Sequence, residues 1–292
     1  MKISQLLRSE ENRISFEVFP PKTSDRYDSI KAATQEIALL HPAFVSVTYG
    51  AGGGTSRYTL DIAANIERSC GVPSLAHLTC VNSTRETVRQ RIKDIKEAGI
   101  QNIMALRGDL TPEMAQKDRS EWDYTHAVEL IYDIKEIGGD FCIGAACYPE
   151  VHPESRDQKE DIAHLKEKVD AGADFLTTQM FFDNNLFYNF LYKIREAGIT
   201  CPVIPGIMPI TNANQVARAI ELSGSFMPQR FKSLVDAFAD KPAAMSQAGI
   251  AYATDQIIDL YANGIRFVHV YSMNKPAVAK AILDNLSEIV TR

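Results

Sequence analysis

Residues 14–23 read Ile-Ser-Phe-Glu-Val-Phe-Pro-Pro-Lys-Thr, a β-rich run over 14–19 that is followed by two prolines. An open dinucleotide-binding sheet would carry the glycine fingerprint G-x-G-x-x-G directly after its first strand, because the backbone must approach a pyrophosphate there. The four residues that follow this run are Pro20, Pro21, Lys22 and Thr23, so the fingerprint is absent. If strands and helices alternate along the rest of the chain, this start favours a closed barrel.

Seven more β-rich runs follow, at 44–49, 75–80, 102–107, 141–148, 175–182, 202–208 and 267–273. Several are almost continuously apolar, as strands buried on both faces of a parallel sheet must be. The intervals have helical spacing, which places Val88, Ile92 and Ile95 on one face and Ile162, Leu165 and Val169 on another. Strict alternation with eight strands predicts a (β/α)8 TIM-type barrel, one domain over residues 1–292. The long interval 208–267 predicts extra helices before the last strand.

Glycine recurs where the predicted helices end, at Gly99, Gly172, Gly198 and Gly264. A glycine there allows the positive φ that stops a helix before the next strand. The repeated pattern is that of one βα unit used many times.

Composition and charge restrict the class of partner. The chain has 292 residues, 45% of them hydrophobic and 23% charged, which is typical of a folded globular protein. A net charge of −6 argues against nucleic acid or an anionic membrane as the main partner, because both favour a basic surface. We expect a small-molecule substrate. The N-terminus lacks a signal-like apolar segment and no apolar run is long enough to span a bilayer, so a cytoplasmic location is expected.

Cysteine and histidine spacing is not typical of a metal site. The chain has five cysteines, Cys70, Cys80, Cys142, Cys147 and Cys201, scattered and never spaced as C-x-x-C. We interpret them as small buried hydrophobic side chains. No H-x-H, H-E-x-x-H or G-x-S-x-G motif occurs, so neither a catalytic metal nor a serine hydrolase is expected.

Polar side chains follow several strands, and in an α/β barrel the carboxyl ends of the strands hold the active site. Glu17 lies among aromatics and prolines, where burial would suit a general acid, although a structural glutamate is an equal alternative. Asp109 follows the fourth strand in Arg107-Gly108-Asp109 and could pair with an N–H edge such as a pterin presents. The glycine-rich loop 48–57 could bind an anion or a ring edge, or be a plain connector. Gln179 could offer a donor and an acceptor to a heterocycle.

Seven ordered motifs together closely resemble the methylenetetrahydrofolate reductases. They are Phe16-Glu17-Val18-Phe19-Pro20-Pro21, Val45-Ser46-Val47-Thr48-Tyr49-Gly50-Ala51, His77-Leu78-Thr79-Cys80, Ala105-Leu106-Arg107-Gly108-Asp109, Tyr148-Pro149-Glu150-Val151-His152-Pro153-Glu154, Thr178-Gln179 and Pro205-Gly206-Ile207-Met208-Pro209. Each motif alone is weak, but the ordered set is specific and spans almost the whole chain. The length resembles the short bacterial form without a regulatory domain.

The resemblance implies a barrel that holds FAD, accepts a hydride from NADH or NADPH, and reduces 5,10-methylenetetrahydrofolate to 5-methyltetrahydrofolate. Glu17 matches the family's acid, which protonates the departing nitrogen of the substrate directly or through water. Asp109 matches the aspartate that binds the pterin edge and tunes the flavin. Gln179 and Gln215 match folate contacts, and Lys275 would attract the acidic tail of the folate.

The family's cofactor contacts carry over onto one set of positions: Thr48, Tyr49, Ala51, His77, Arg107, Gly108, Asp109, Thr125, Tyr148, His152, Ser155, Asp161, His164 and Lys168. His152, if protonated, and Lys168 would be the cations near the pyrophosphate. A helix lysine is otherwise usually a solvated charge.

Four positions depart from one bacterial branch of the family. His164 stands for asparagine, Glu167 for arginine, Ala219 for a phenylalanine that packs on substrate, and Lys275 for arginine. An acidic residue facing a pyrophosphate would repel it, so the helix that carries Glu167 is expected to be rotated or to have lost this contact. Lys275 cannot form the bidentate fork of an arginine.

Two other functions remain open at this stage. One is a flavin-free, pterin-binding barrel that transfers a one-carbon group. The other is a subunit that performs the same reduction with electrons from an iron–sulfur or flavin partner protein. We also expect a homo-oligomer.

Overall fold

A parallel sheet forms the centre of the computed structural model, which describes residues 1–21, 23–49 and 56–291. Within these residues the sheet contains nine strand segments, and every neighbouring pair is parallel. They are β1 (Arg13–Val18), β2 (Val45–Val47), β3 (Ser74–Thr79), β4 (Asn102–Leu106), β5 (Cys142–Cys147), β6 (Phe175–Thr178), β7 (Val203–Ile204), β8 (Gly206–Ile207) and β9 (Phe267–Tyr271).

The sheet closes through β7 and β8, which are separated by Pro205 alone. β7 pairs with β6, whereas β8 pairs with β9, and β9 pairs with β1. A proline cannot donate to a strand ladder, which is why one predicted strand is divided in two. The carbonyl of Pro205 still accepts a hydrogen bond from the backbone N–H of His269 at 2.9 Å. The predicted (β/α)8 barrel is therefore confirmed, with its seventh strand in two parts.

Helices follow the strands and cover the outside of the barrel. In the described residues they are α1 (Ile3–Leu6), α2 (Tyr27–Ala38), α3 (Ser56–Cys70), α4 (Arg85–Glu97), α5 (Pro112–Ala115), α6 (Ala127–Ile137), α7 (Gln158–Asp170), α8 (Asn184–Glu196), α9 (Asn214–Ser223), α10 (Gln229–Phe238), α11 (Pro242–Ala262) and α12 (Pro276–Asn285). Short 3-10 turns lie at Ser24–Arg26 and Arg119–Glu121. α9, α10 and α11 are the extra helices predicted before the last strand.

The helices dock on the sheet through the apolar faces that the sequence predicts. Val88, Ile92 and Ile95 of α4 are buried, and Leu165 of α7 is buried too. The predicted helix stops are also confirmed, since Gly99, Gly172, Gly198 and Gly264 have φ of +83°, +116°, +78° and +85°. The residues of these faces join one large core cluster between the sheet and the helices.

The amino end of the barrel is closed by α1. Ile3 of α1 packs into an apolar cluster inside the barrel, which we call the floor; its buried members are Ile3, Phe44, Leu75, Met104, Cys142, Phe175, Ile204 and Phe267. Asn102 is the buried polar residue that joins α1 to the strands. Its side-chain oxygen accepts from the N–H of Ile3 at 2.8 Å, and its nitrogen donates to the carbonyls of Ser74 and Met1 at 3.0 and 3.1 Å.

Across residues 1–21, 23–49 and 56–291, no helix has the length and apolar character needed to cross a bilayer. Cys80, Cys142 and Cys147 are buried and Cys70 and Cys201 half-buried, in line with their interpretation as small hydrophobic side chains.

Candidate active site

A cavity of about 750 Å³ opens at the carboxyl end of the barrel. Most of the candidate site residues from the sequence line it: Glu17, Thr48, Tyr49, His77, Arg107, Gly108, Asp109, Tyr148, His152, Ser155, Asp161, His164, Lys168, Gln179 and Gln215. The strand ends and the loops after them bring these side chains together from distant parts of the chain. The size lies in the range of roughly 300–1,000 Å³ that small-molecule and cofactor sites occupy.

Glu17 lies at the bottom of this cavity. On β1 the side chains of Ile14, Phe16 and Val18 pack outward in the main core, so Ser15 and Glu17 point into the barrel. Glu17 is 8% exposed, and its Oε2 atom lies 3.7 Å from His77 Nε2 and 3.9 Å from His269 Nε2. Among the described residues, its carboxylate forms no ion pair with lysine or arginine.

His77 is the residue of β3 that faces Glu17. Burial lowers the pKa of His77 to about 4, and it outweighs the opposite effect of the nearby Glu17 carboxylate. His77 is therefore neutral near pH 7, and its contact with Glu17 is not an ion pair there. A neutral imidazole supplies no fixed positive charge beside the carboxyl of Glu17.

Beneath Glu17, His269 is held between two serine hydroxyls. Ser15 Oγ lies 2.7 Å from His269 Nδ1, and Ser46 Oγ lies 3.0 Å from His269 Nε2. A serine hydroxyl can donate or accept, so each can match a ring nitrogen with or without a proton. His269 was not predicted as a site residue. Its signal is the period of two on β9, which places Phe267, His269 and Tyr271 on the inner face.

Tyr271 extends this inner face to the cavity wall. Its hydroxyl donates to the carbonyl of Thr178 at 2.6 Å, and burial raises its pKa well above the ordinary value. Tyr271 packs over Gly206, where a Cβ atom would lie 2.4 Å from the tyrosine hydroxyl. The glycine of the Pro205-Gly206 pair thus makes room for this tyrosine.

The loop after β4 presents Asp109 to the cavity. The backbone carbonyl of Asp109 accepts a hydrogen bond from Asn82 Nδ2 at 2.6 Å, which fixes the loop while the side chain is exposed. Gly108 adopts φ +87°, and a Cβ atom there would meet Thr79 Cβ at 2.8 Å. The glycine is thus required both by its backbone angle and by the close contact with β3.

Arg107, from the same loop, pairs with Glu154. Arg107 Nη1 donates to Glu154 Oε2 at 2.8 Å, a second bond joins Nη2 to Oε1, and Arg119 Nη2 contacts the same carboxylate at 3.2 Å. The hydrogen bond from Arg107 holds the pKa of Glu154 at about 2. Glu154 was part of a quoted motif but was not identified as a site residue, and it neutralises much of the charge of Arg107.

α7 presents one face to the cavity through Asp161, His164 and Lys168. Asp161 accepts from the backbone N–H of His152 at 3.1 Å and lies 3.5 Å from Ser155 Oγ, so it positions the loop before the helix. Lys168 Nζ donates to the carbonyl of Ala146 at 2.6 Å, and burial lowers the pKa of its ammonium. Lys168 is thus not the ordinary solvated lysine of a helix surface.

Two sequence expectations for this region can be compared with the structure. Burial, followed by the charge of Arg107, lowers the pKa of His152, so the protonated form on which its role as a cation depends is disfavoured near pH 7. A rotation of α7 away from the cavity is not observed, because His164 and Glu167 both line it, and the other expectation, a lost contact with the pyrophosphate, stays a prediction. His164 Nδ1 lies 3.5 Å from Glu167 Oε2. The acidic side chain therefore does face the ligand space.

The predicted folate contacts Gln179 and Gln215 follow β6 and β8. Gln179 Oε1 accepts from the N–H of Met180 at 2.9 Å. Gln215 Oε1 accepts from the N–H groups of Thr211 and Asn212 at 3.0 and 3.1 Å, so its amide nitrogen is the group it can offer a ligand. Ala219, in place of a bulky aromatic, also lines the cavity.

Two predicted positions do not line the cavity among the described residues, and a third lies outside those residues. Thr125 bonds to its neighbours, with Oγ1 2.9 Å from His126 Nδ1, and His126 lines the cavity in its place. Lys275 is exposed and donates to Thr211 Oγ1 at 2.9 Å, beside Gln215. Ala51, with the glycine-rich loop 50–55, lies outside the described residues.

Solved structures resemble this chain in fold. A Clostridium thermocellum protein, described as uncharacterized and as binding two copies of 5-methyl-5,6,7,8-tetrahydrofolic acid, has a TM-score of 0.69 at 13% identity, covering 99% of this chain and all of that one. An oxaloacetate acetylhydrolase has a TM-score of 0.55 at 14% identity, covering 98% of this chain and 84% of that one. At such low identity these similarities show a shared barrel and no more.

Sequence comparison is more specific. The 5,10-methylenetetrahydrofolate reductase of Pectobacterium carotovorum subsp. carotovorum is 35% identical over 286 residues, covering 97% of this chain and 94% of that protein. The protein of the same name from Escherichia coli (strain K12) is 34% identical, covering 94% and 90%. Methylenetetrahydrofolate reductase (NADH) 1 of Arabidopsis thaliana is 35% identical over 99% of this chain, which spans about half the length of that plant relative.

The family itself is shown by a sequence profile. The profile described as methylenetetrahydrofolate reductase matches residues 2–287, which is nearly the whole chain. The resemblance carried by the seven motifs is thereby confirmed, and this chain belongs to the methylenetetrahydrofolate reductase family.

Proposed function

We propose that this protein reduces 5,10-methylenetetrahydrofolate to 5-methyltetrahydrofolate with bound FAD and a reduced nicotinamide donor. The observation that carries the proposal is the environment of Glu17. It is a buried carboxyl at the bottom of a large cavity, with the neutral His77 3.7 Å away. A carboxyl that is not committed to a fixed cation can hold a proton and release it to a substrate.

The residues around the cavity fit a dinucleotide cofactor in their chemistry. Hydroxyl and aromatic groups of Thr48 and Tyr148 can hold a ring system, and the cations Arg119 and Lys168 can attract phosphates. When bound, the flavin would supply a hydride to the substrate and regain one from the nicotinamide. Arg107 lines the same cavity, and its guanidinium is positioned by a hydrogen bond that it donates to Glu154.

The protein's own part in the reaction is to hold the folate and supply a proton. Opening the five-membered ring of the substrate leaves a nitrogen that must gain a proton, and Glu17 donates it directly or through water. Asp109 accepts from the N–H and NH₂ edge of the pterin. The amide groups of Gln179 and Gln215, which line the same cavity, add contacts to the folate.

The test is anaerobic reduction of the purified protein with NADH and NADPH in separate experiments. We expect bound flavin to bleach with at least one donor and to be reoxidised by methylenetetrahydrofolate. NADH is the first donor to try, because the Arabidopsis relative carries NADH in its name.

Two outcomes favour the alternatives. Protein that binds folate but neither contains nor acquires flavin would support a one-carbon transferase. Flavin that is reduced by neither nicotinamide, but by a reduced iron–sulfur or flavin protein, would support a subunit of a larger electron-transfer complex.

A further inference from the structure

The loop after β9 is bound to the end of β1 through two of its side chains. The paired residues of β1 and β9 end at Glu17 and Tyr271. Beyond that pair, Ser272 Oγ donates to the backbone carbonyl of Glu17 at 2.6 Å. The side-chain amide of Asn274 bonds to both backbone groups of Phe19, accepting from its N–H at 2.7 Å and donating to its carbonyl at 2.9 Å. The amide thus takes the place of a further strand residue.

The backbone of this loop adopts an uncommon conformation. Met273 and Asn274 have φ of +55° and +53°, in the left-handed region that residues other than glycine rarely adopt. The backbone N–H of Lys275 donates to the carbonyl of Ser272 at 3.0 Å and closes the turn. Such residues cluster at functional sites, because the surrounding structure must maintain their conformation. Here the turn brings the amide of Asn274 back to Phe19.

These bonds hold a part of β1 that the sheet itself does not hold. Pro20 and Pro21 follow Phe19, and neither has an N–H that could continue a strand ladder. Glu17 lies two residues before Phe19, and its carboxylate is 3.7 and 3.9 Å from the two nearest histidine nitrogens, which is longer than a hydrogen bond. The position of the Glu17 carboxyl therefore depends on the backbone that carries it.

We propose that Ser272 and Asn274 are positioning residues for proton transfer: together they hold the end of β1 so that the carboxyl of Glu17 remains within reach of the substrate. We call the two residues and their three bonds the β1 clamp. Phe19 and Met273 both line the cavity, so the β1 clamp lies at its edge. Its part in catalysis rests on the proposed function, whereas its hold on β1 does not.

The test is Asn274→Gly, because glycine keeps the left-handed backbone and loses both bonds to Phe19. In single-turnover oxidation of reduced flavin by methylenetetrahydrofolate, we expect the limiting rate to fall about 10- to 100-fold, since a misplacement of about 1 Å has effects of that size. The folate concentration at half the limiting rate should change by less than about threefold, and flavin reduction by the nicotinamide by less than about twofold.

A double variant shows whether Asn274 acts through Glu17. Glu17→Gln already lacks the proton donor, so adding Asn274→Gly to it should slow folate reduction further by less than about twofold. An equal loss in both backgrounds, or a loss in both half-reactions, would make Asn274 merely structural and overturn the proposal.

Ser272 offers a second, independent comparison. Ser272→Ala removes the bond to the carbonyl of Glu17 and should lower the rate of folate reduction by about three- to tenfold. Ser272→Thr keeps a hydroxyl and should restore the wild-type rate. A loss that persists in folded Ser272→Thr would contradict the role of the hydroxyl.

His41→Gly is the matched control for the change to glycine. His41 also has a left-handed backbone, with φ +58°, and it lines a pocket with Met1 and Leu6 instead of the barrel cavity. Both half-reactions should keep their wild-type rates in this variant. A loss of folate reduction equal to that in Asn274→Gly would show that glycine itself causes the effect, which would contradict the β1 clamp.

Hydrogen exchange separates the β1 clamp from the proposed function. If wild-type protein reduces no folate, the proposed function fails, and the exchange rate of the Phe19 amide then decides the clamp by itself. This amide should exchange at least about tenfold faster in Asn274→Gly than in wild type or His41→Gly, because it has lost its acceptor. Residue-resolved mass spectrometry measures it, and equal rates in the three proteins would overturn the clamp.

Discussion

The two ends of the barrel are built from the same strands but use their polar groups differently. At the floor, Asn102 is satisfied by three hydrogen bonds to backbone groups and is surrounded by apolar side chains. At the mouth, Glu17 is also buried, yet its neighbours are His77 and His269 at 3.7 and 3.9 Å. A buried polar group whose hydrogen bonds are all made within the protein stabilises the fold. A polar group at the carboxyl end of the strands without such partners can bind a ligand or react with it.

The largest effect should come from replacing the carboxyl of Glu17 at the mouth of the barrel. We expect Glu17→Gln to slow folate reduction by about 100- to 10,000-fold, because glutamine cannot act as a general acid. Reduction of the flavin by the nicotinamide needs no proton from Glu17 and should remain within about twofold. Stopped-flow absorbance of each half-reaction measures the two rates separately.

A matched change at the other end supplies the control. Glu67 accepts hydrogen bonds from the N–H and hydroxyl of Ser74, at the start of β3, and Glu67→Gln keeps an acceptor oxygen there. Both half-reactions should be unchanged in this variant. If Glu17→Gln slows both half-reactions together, Glu17 is a structural residue and the distinction between the two ends is lost.

The next effect should be one of stability, at the floor. Asn102→Ala removes three hydrogen bonds, two of them buried, and leaves the N–H of Ile3 and the carbonyl of Ser74 without their partner. We expect the free energy of unfolding to fall by about 4 kcal/mol, since each stranded buried group costs roughly 1–3 kcal/mol. Urea unfolding measures it. Substrate and flavin affinity in the folded variant should be unchanged; a selective loss of either would show that the floor also shapes the site.

The smallest effect concerns His77 and pH. The folded-state pKa of about 4 lies below the ordinary value near 6.5, so the unfolded chain binds the proton more readily. The stability contributed by neutral His77 is therefore complete above pH 6.5 and declines as the pH falls towards 4, by up to about 3 kcal/mol. His77→Gln should flatten this part of the stability curve relative to wild type. Parallel curves for the two proteins would contradict a neutral, buried His77.

Most of the fold could be predicted from the sequence, because buried parallel strands are continuously apolar and several βα units end on a glycine such as Gly99. The ends of the strands were predicted less accurately. The run 44–49 contains only Val45–Val47 as a strand, and the run 202–208 is divided by Pro205. Apolar character continues past the last ladder hydrogen bond into the cavity wall, so it cannot mark the end of a strand.

Site residues that belong to a family motif were predicted from the sequence. Residues that only three-dimensional packing brings to the site were missed. Glu17 and His77 follow from their motifs, and both line the cavity. His269 was not predicted as a site residue, because the two serines that hydrogen-bond to its ring lie more than 220 positions away in the chain. Of the two expectations for α7, a rotation is not observed, since Glu167 lines the cavity 3.5 Å from His164 Nδ1, and a lost contact with the pyrophosphate stays a prediction.

The most direct test of the central claim is a single turnover with protein reduced beforehand. Flavin-loaded protein is reduced anaerobically, freed of the donor, and mixed with 5,10-methylenetetrahydrofolate. The account predicts reoxidation of the flavin with formation of one 5-methyltetrahydrofolate per flavin, detected by mass spectrometry. Flavin that stays reduced while the folate remains unchanged would contradict it.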